Sequence, residues 1–200
     1  MKLKFWGVRG SIPSPGPRTM RVGGNTSSLE IIPGGGQHII VDAGTGIREL
    51  GMDLMARGTA GKLKTSLFLS HTHWDHIHGF PFFVPGFIPG NQLNIFGPVN
   101  ALNESLRDIL TNQMHYSYFP VPLRHLGASM TFTELKEGPP FDVDGVKVTA
   151  QYLNHPVTVL GYRFEYEGKV IVTEFDTEPY RNMFKKGEDI EDDFDDFLFG

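Results

Sequence analysis

The chain has 200 residues, of which 40% are hydrophobic and 20% are charged, an ordinary balance for one folded domain. The formal net charge of −5 argues against a general polyanion binder, and no apolar run reaches the roughly 18 residues of a membrane helix, so we expect no nucleic-acid polymer and no membrane among its partners. The absence of cysteine excludes disulfides, thiolate metal sites and a cysteine nucleophile, and is compatible with a soluble, cytoplasmic protein.

In the amino-terminal part, short apolar segments alternate with turn-forming residues. The glycine-, proline- and serine-rich residues 9–24 predict a long loop, and Pro33-Gly34-Gly35-Gly36 predicts a hairpin turn. Apolar residues at helical spacing before Gly58 predict a helix. The predicted elements are strands at 2–8, 28–32, 37–41 and 65–69 and a helix at 45–57.

The second part continues the same mixture of strands and occasional helices. Residues 80–90, which are aromatic and proline-rich, predict a loop or a broken helix. The predicted elements are strands at 93–96, 129–135, 147–153, 160–167 and 170–175 and helices at 99–113 and 178–186. Strands interspersed with a few helices indicate a mixed α/β domain with packed sheets.

The strongest functional signal is the run Ser70-His71-Thr72-His73-Trp74-Asp75-His76, directly after a predicted buried strand. In an extended chain His71 and His73 project to the same side and can bind one ion, and a turn would bring Asp75 and His76 beside it. Imidazole and carboxylate ligands favour zinc, with manganese or iron as alternatives. We therefore predict one or two divalent metal ions here. Surface or capping histidines are the competing interpretation.

This run matches the HxHxDH signature and resembles the metallo-β-lactamase superfamily. The resemblance implies an αββα sandwich in which His71, His73 and a later histidine bind a first metal. It also implies that Asp75 and His76 bind a second metal and that an aspartate bridges the two. A bound metal would activate water near neutral pH, and Asp75 could accept or relay a proton from that water.

Two later residues follow apolar strands and best match the remaining ligands of the family. His155 matches the later histidine, and Asp176 matches the bridging aspartate. Both would lie at the sheet edge where His71 lies. A capping histidine and a helix cap are the respective alternatives. Asp42 matches a family aspartate that orients ligands, although it could equally cap the helix near Thr45.

The sixth metal ligand of the family is missing, because no histidine follows His155. The chain stops at Phe197-Leu198-Phe199-Gly200, which resembles the start of a buried strand. We expect one metallo-β-lactamase-like domain over residues 1–200 that is truncated at its carboxyl end and lacks the closing strand and helix. A weak second metal site, or completion by another chain, would also explain the pattern, and a homodimer is left open.

Residues 5–11 and 23–28 resemble the family branch that contains bacterial cyclic-nucleotide and cyclic-phosphate phosphodiesterases. Arg9, Asn25, Thr26 and Ser27 could contact phosphate oxygens, against the alternative of a well-capped loop with a surface arginine. The leading hypothesis is a metal-dependent phosphodiesterase acting on a small cyclic nucleotide or cyclic phosphate by metal-activated water.

Three other functions remain open at this stage. A lactonase or thioesterase could use the same fold and the same activated water. An RNA-processing enzyme is disfavoured by the acidic balance. A non-catalytic metal- or nucleotide-binding regulatory domain would explain the missing ligand, although the intact run from His71 to His76 argues against it.

Overall fold

The computed structural model describes residues 1–34, 36–100, 102 and 104–179. Within these residues the chain forms ten strands and three α-helices. The strands are β1 Lys2–Gly7, β2 Ser28–Ile32, β3 His38–Val41, β4 Lys64–Phe68, β5 Gln92–Pro98, β6 Ser129–Leu135, β7 Phe141–Val143, β8 Val146–Leu153, β9 Val159–Tyr166 and β10 Lys169–Thr173. The helices are α1 Gly46–Ala56, α2 Trp74–Ile77 and α3 Leu106–Gln113. None of these helices is long and apolar enough to cross a bilayer.

The first sheet has six strands in the order β1-β2-β3-β4-β5-β6. β1, β2 and β3 pair antiparallel, whereas β3 to β6 are parallel to one another, with α1 crossing between β3 and β4. Parallel strands end at the same edge of a sheet, and that edge is where α/β proteins usually bind ligands. The residues that follow β3 and β4 are therefore neighbours.

The second sheet is antiparallel, in the order β10-β9-β8-β7. Since β8 and β10 both run antiparallel to β9, they run in the same direction as each other. Their carboxyl ends consequently lie on one side, so the segments that follow these two strands can approach the same site.

The first sheet separates two hydrophobic cores. Because side chains alternate along β3, Ile40 packs towards Leu50 of α1 and Leu110 of α3, while Ile39 packs towards the second sheet. Phe68 of β4 contacts Tyr162 of β9 edge to face, with ring centroids 5.2 Å apart. The helices, the first sheet and the second sheet thus form three of the four layers of the predicted αββα sandwich.

Gly44 lies where the loop after β3 packs tightly against the predicted metal-binding run. A Cβ atom at this position would lie 2.3 Å from the carbonyl oxygen of Asp75 and 2.5 Å from that of Ser27. Only glycine fits there, because contacts below about 3 Å between carbon and oxygen are strongly repulsive. The glycine lets three segments of the site pack against one another.

Several predicted boundaries differ from the structure. The helix predicted at 99–113 begins only at Leu106, because the backbone N–H of Val99 still donates to Leu135 and the Ser105 hydroxyl caps the helix by accepting from Asp108. The strand predicted at 170–175 ends at Thr173. The short β7 and α2 were not predicted. The helix predicted at 178–186 lies almost wholly outside the described residues, as does the strand predicted at the carboxyl end.

Candidate metal centre

Four of the predicted metal ligands converge beyond the ends of β4, β8 and β10. One ligand atom from each of them lies within 4.8 Å of the ligand atoms of the other three. These residues are His71, His73, His155 and Asp176. Side chains more than eighty positions apart meet here: the Nε2 atom of His155 lies 3.3 Å from Nδ1 of His73. We call this group the first cluster.

A second cluster consists of Asp75, His76 and Asp176, whose ligand atoms also lie within 4.8 Å of one another. Asp176 belongs to both clusters and presents a different oxygen to each. Its Oδ2 atom lies 3.7 Å from Nε2 of His71, and its Oδ1 atom lies 3.4 Å from Nε2 of His76. Asp176 therefore lies between the two clusters and could offer one oxygen to a metal ion in each.

In each of the two most deeply buried histidines of the site, one ring nitrogen has no hydrogen-bond partner among the described residues. Nε2 of His71 and Nε2 of His76 are inaccessible to solvent and find no hydrogen-bond partner among the described residues. Unsatisfied buried polar atoms are costly, and a metal ion would satisfy both. Imidazole and carboxylate donors fit zinc, and they also fit manganese or iron. The donor set therefore fits one or two divalent ions.

The pKa values of the two buried histidines point in opposite directions. Burial, together with the neighbouring histidines, lowers the pKa of His71 to about 2 and keeps it in the neutral, metal-binding form. Burial also acts to lower the pKa of His76, but the hydrogen bond to Asp42 and the charges of Asp75 and Asp176 outweigh it and raise the pKa to about 9. The carboxylates thus create a negative environment that favours a bound cation.

Asp42 is fully buried and contacts His76 of the second cluster through the ring nitrogen that does not face Asp176. Its Oδ2 atom accepts from Nδ1 of His76 at 2.7 Å, which directs Nε2 of that ring towards Asp176. Its Oδ1 atom accepts from the backbone N–H of Ser70 at 2.7 Å, immediately before His71. The side chain makes no cap on α1, whose N-cap residue is Thr45. The geometry is that of a group that orients a metal ligand.

Two contacts of the site involve residues that the sequence did not single out as site residues. The backbone N–H of Ser11 donates to Oδ2 of Asp75 at 2.8 Å, across 64 positions of sequence. Oε1 of Glu178 lies 3.0 Å from Nδ1 of His155, which directs Nε2 of that histidine to the first cluster. No local pattern marks either residue, because one acts through its backbone and the other depends on a tertiary contact.

Of the four residues predicted to contact phosphate, two line a cavity at the candidate metal centre and two do not. Arg9 and Ser27 line a small cavity of about 160 Å³ together with His76 and Asp176, which we call the Arg9 cavity. Nε of Arg9 is buried there with no hydrogen-bond partner among the described residues. The hydroxyl of Ser27 donates to Asp42 instead.

The structure does not bring Asn25 and Thr26 to the cavity wall. The carbonyl oxygen of Asn25 accepts the backbone N–H groups of Val8 and Arg9, and the Thr26 hydroxyl accepts from the backbone N–H of Thr45. These two residues hold the loop against the start of α1 and thereby position Arg9.

Comparison with known proteins gives a consistent set of relatives. The family model for the beta-lactamase superfamily domain matches residues 37–190. A ribonuclease Z of Mycolicibacterium paratuberculosis is 29% identical over 184 residues, covering 83% of this chain and 60% of that protein. A ribonuclease BN of Proteus mirabilis is 27% identical over 135 residues, covering 62% of this chain and 41% of that protein. The chain thus spans about half the length of the curated relatives it matches.

Solved structures show the same fold. The crystal structure of the short form of human tRNase Z superposes with a TM-score of 0.61 at 22% identity, covering 88% of this chain and 69% of that one. The metallo-β-lactamase fold protein YhfI from Bacillus subtilis superposes with a TM-score of 0.59 at 17% identity, covering 85% of this chain and 59% of that one. The predicted metallo-β-lactamase type of sandwich is confirmed.

The expectation that no nucleic-acid polymer is a partner is wrong, because the relatives at 27% and 29% identity are named ribonucleases. The expectation depends on a net charge of −5 summed over the whole chain. A phosphodiester group is held by the few groups around it, so an acidic total does not exclude RNA.

Since the family model covers most of its length, the chain belongs to the family of beta-lactamase superfamily domains.

Proposed function

We propose that this chain carries the metal-dependent catalytic centre of a phosphodiester hydrolase with RNA among its substrates. The observation that carries the proposal is the carboxylate of Asp176, whose two oxygens face the two clusters separately. Two metal ions a few ångströms apart suit the displacement reaction of a phosphodiester, because they stabilise the attacking and the leaving oxygens. The relatives named ribonucleases support the same class of reaction.

Divalent metals bound at the two clusters would activate water as a nucleophile near neutral pH. The first cluster would hold one ion through His71, His73 and His155, and Asp75 and His76 would hold the other. Asp75 would also accept a proton from the attacking water. The Ser11 backbone N–H holds Oδ2 of Asp75 and so fixes the orientation of the carboxylate.

Among the described residues, Arg9 is the group best suited to bind the phosphate. It lines the same cavity as His76 and Asp176, and its buried Nε lacks an acceptor among the described residues. A guanidinium group presents several donors in a fixed plane that matches the oxygens of a phosphate. A phosphodiester bound at the metals would satisfy this donor and bring its phosphorus atom beside the activated water.

A narrower form of the proposal is that the substrate is a small cyclic nucleotide or cyclic phosphate. The small volume of the Arg9 cavity, about 160 Å³, supports this candidate, because it suits a compact phosphate substrate. RNA and a cyclic phosphate present the same bond to the metals, so the two substrates differ only in what lies beyond that bond.

The test is hydrolysis of bis(p-nitrophenyl) phosphate by protein loaded with zinc or manganese, with metal content measured in parallel. We expect turnover that chelation abolishes, and His71→Ala and Asp75→Ala should each lower the rate by roughly 10²-fold or more while leaving the fold largely intact. His125→Ala is the matched control, because His125 is exposed and belongs to neither cluster.

Competing 2′,3′-cyclic nucleotides and short RNA substrates would then separate the two phosphodiester candidates. Near-normal rates in metal-loaded His71→Ala or Asp75→Ala would overturn the assigned mechanism. Turnover of lactones or thioesters without phosphodiester turnover would indicate a non-phosphate hydrolase of the same fold. Metal binding with no turnover of any of these substrates would indicate a non-catalytic domain.

A further inference from the structure

A second, larger cavity of about 730 Å³ is lined in part by the metal-binding run and shares no lining residue with the Arg9 cavity. Thr72 and Trp74, which alternate with the ligands His71, His73 and Asp75 along the chain, form one side of it. Its remaining walls carry three further aromatic rings, and we call it the aromatic cavity. These rings belong to Phe82, Tyr118 and Phe119.

Three of the four aromatic side chains of this cavity, those of Trp74, Phe82 and Tyr118, are exposed to solvent, whereas Phe119 is partly buried against the core. Trp74 is 73% exposed and Tyr118 is 81% exposed, although both are large and partly apolar. The neighbouring Phe80 and Phe83 are almost completely buried, so the segment has enough inward-facing aromatic residues to complete its core. Exposed aromatic faces beside a reactive centre provide surfaces on which a flat ring can stack.

Two polar atoms of the cavity lining are left without partners. Nε2 of Gln113 donates to the carbonyl oxygen of Ile77 at 2.8 Å, which fixes the amide and leaves Oε1 as a buried acceptor with no donor among the described residues. Nδ1 of His78 is likewise buried and unpaired. Both atoms belong to residues that line the cavity but are closed to solvent, so a small side-chain shift would let a ligand with hydrogen-bonding groups at its edge reach them.

The charges of the residues that line the cavity do not favour the binding of a negatively charged phosphate. None of the described residues that line it is lysine or arginine, and one, Glu104, is acidic. An aliphatic acyl chain would leave the atoms of Gln113 and His78 unsatisfied. A nucleobase is planar, uncharged and polar along its edge, and it meets all three requirements.

We propose that the aromatic cavity binds the nucleobase adjacent to the scissile phosphodiester. The inference rests on the proposed function, since it assigns the metal end of the substrate to a phosphate. Trp74 and Tyr118 provide stacking faces, and Gln113 and His78 provide hydrogen bonds to the base edge. The site extends the substrate specificity of the centre from a bare phosphodiester to a nucleotide.

The test compares binding of adenosine 5′-monophosphate and ribose 5-phosphate to the metal-loaded protein. The two ligands share the sugar phosphate and differ in the base. Quenching of tryptophan fluorescence reports the approach of the base to Trp74, and Trp74→Phe corrects for absorption by the nucleotide. We expect the nucleotide to bind roughly tenfold more tightly than the sugar phosphate, in keeping with the usual contribution of one stacked base.

Tyr118→Leu should remove most of this preference, whereas Tyr116→Leu should retain it. Tyr116 is the matched control, since it is equally exposed at 81%, lies two positions away and does not line the cavity. Equal affinity for the two ligands, or equal effects of the two substitutions, would overturn the base site. Base-dependent binding without hydrolysis of bis(p-nitrophenyl) phosphate would uphold the base site and overturn the proposed function, and hydrolysis without base-dependent binding would do the reverse.

Discussion

At the scale of single residues, two aspartates adopt a backbone conformation that most residues avoid. Asp42 and Asp176 have φ angles of 61° and 36°, and each follows a strand. Aspartate and asparagine tolerate this left-handed region better than other non-glycine residues. In each case a turn shortly after the strand brings the carboxylate to the candidate metal centre, and backbone conformations of this kind are typical of functional sites.

We predict that Asp42→Asn weakens the second metal site without blocking the turn. The two carboxylate oxygens of Asp42 face only donors, from Ser70, Ser27 and His76. In either orientation, the side-chain NH₂ group of asparagine would face at least one of these donors, and that hydrogen bond would be lost. We expect metal affinity at the second site to fall roughly 10- to 100-fold. Metal titration followed by calorimetry measures this change.

Asp144→Asn is the matched control for that experiment. Asp144 also has a positive φ of 51°, but it lies exposed in the turn between β7 and β8. Its replacement should leave metal binding unchanged. Unaltered affinity in Asp42→Asn as well would contradict the orienting role assigned to Asp42.

At the scale of elements, one buried carboxylate connects α1 to the first three strands. Glu30 of β2 is fully buried and accepts hydrogen bonds from Arg57, which follows α1, and from Trp6 of β1. His38 of β3 lies 3.0 Å from the same carboxylate. Burial alone would raise the pKa of Glu30, but the bonds to His38, Arg57 and Trp6 outweigh it and lower the pKa to about 2.

We predict a specific loss of stability in acid from this carboxylate. Because its folded pKa is below its unfolded value of 4.5, its contribution is fully present above pH 4.5 and is lost as the pH falls towards about 2. The shift corresponds to about 3 kcal/mol. The free energy of unfolding can be measured by urea denaturation of metal-free protein at several pH values in this interval. It should depend less steeply on pH in Glu30→Gln than in the exposed control Glu49→Gln. Equal pH dependence in the two variants would refute the prediction.

At the scale of the whole molecule, the site depends on the contact between the two sheets. The buried Tyr162 of β9 donates its hydroxyl to the carbonyl oxygen of Leu69 at 2.7 Å, and the backbone N–H of Leu160 donates to Ser70 at 2.9 Å. These bonds fasten the second sheet to the segment that immediately precedes His71. The first cluster needs them, because it takes His71 from one sheet and His155 from the other.

We predict that Tyr162→Phe lowers the free energy of unfolding by about 1 to 2 kcal/mol, because the carbonyl group of Leu69 loses its buried donor. Metal affinity at the first cluster should fall as well. Chemical denaturation and metal titration measure the two effects. Tyr166→Phe on the same strand is the control, because no hydrogen bond of its hydroxyl is found among the described residues. Equal destabilisation by both substitutions would contradict this account.

The sequence predicted the strand pattern and the first four candidate ligands because both are local properties. A period of two marks a strand with one buried face, and His71 to His76 carry their chemistry within six positions. It failed at β7, which has only three residues, and at the start of α3, where the β5–β6 ladder extends past the apolar run. The expectation that no nucleic-acid polymer is a partner was also wrong, since the net charge of a chain does not describe a local site.

By itself, then, the sequence determined a mixed α/β fold and a histidine–aspartate metal-binding run, because periodicity and ligand spacing act over a few residues. Only the tertiary structure decided how distant groups complete the site: the two faces of Asp176, the hydrogen bond from Ser11 to Asp75, and the contact of Glu178 with His155. Such contacts join positions tens of residues apart through exact backbone placement. No local pattern encodes that placement, because it results from the packing of one sheet on the other.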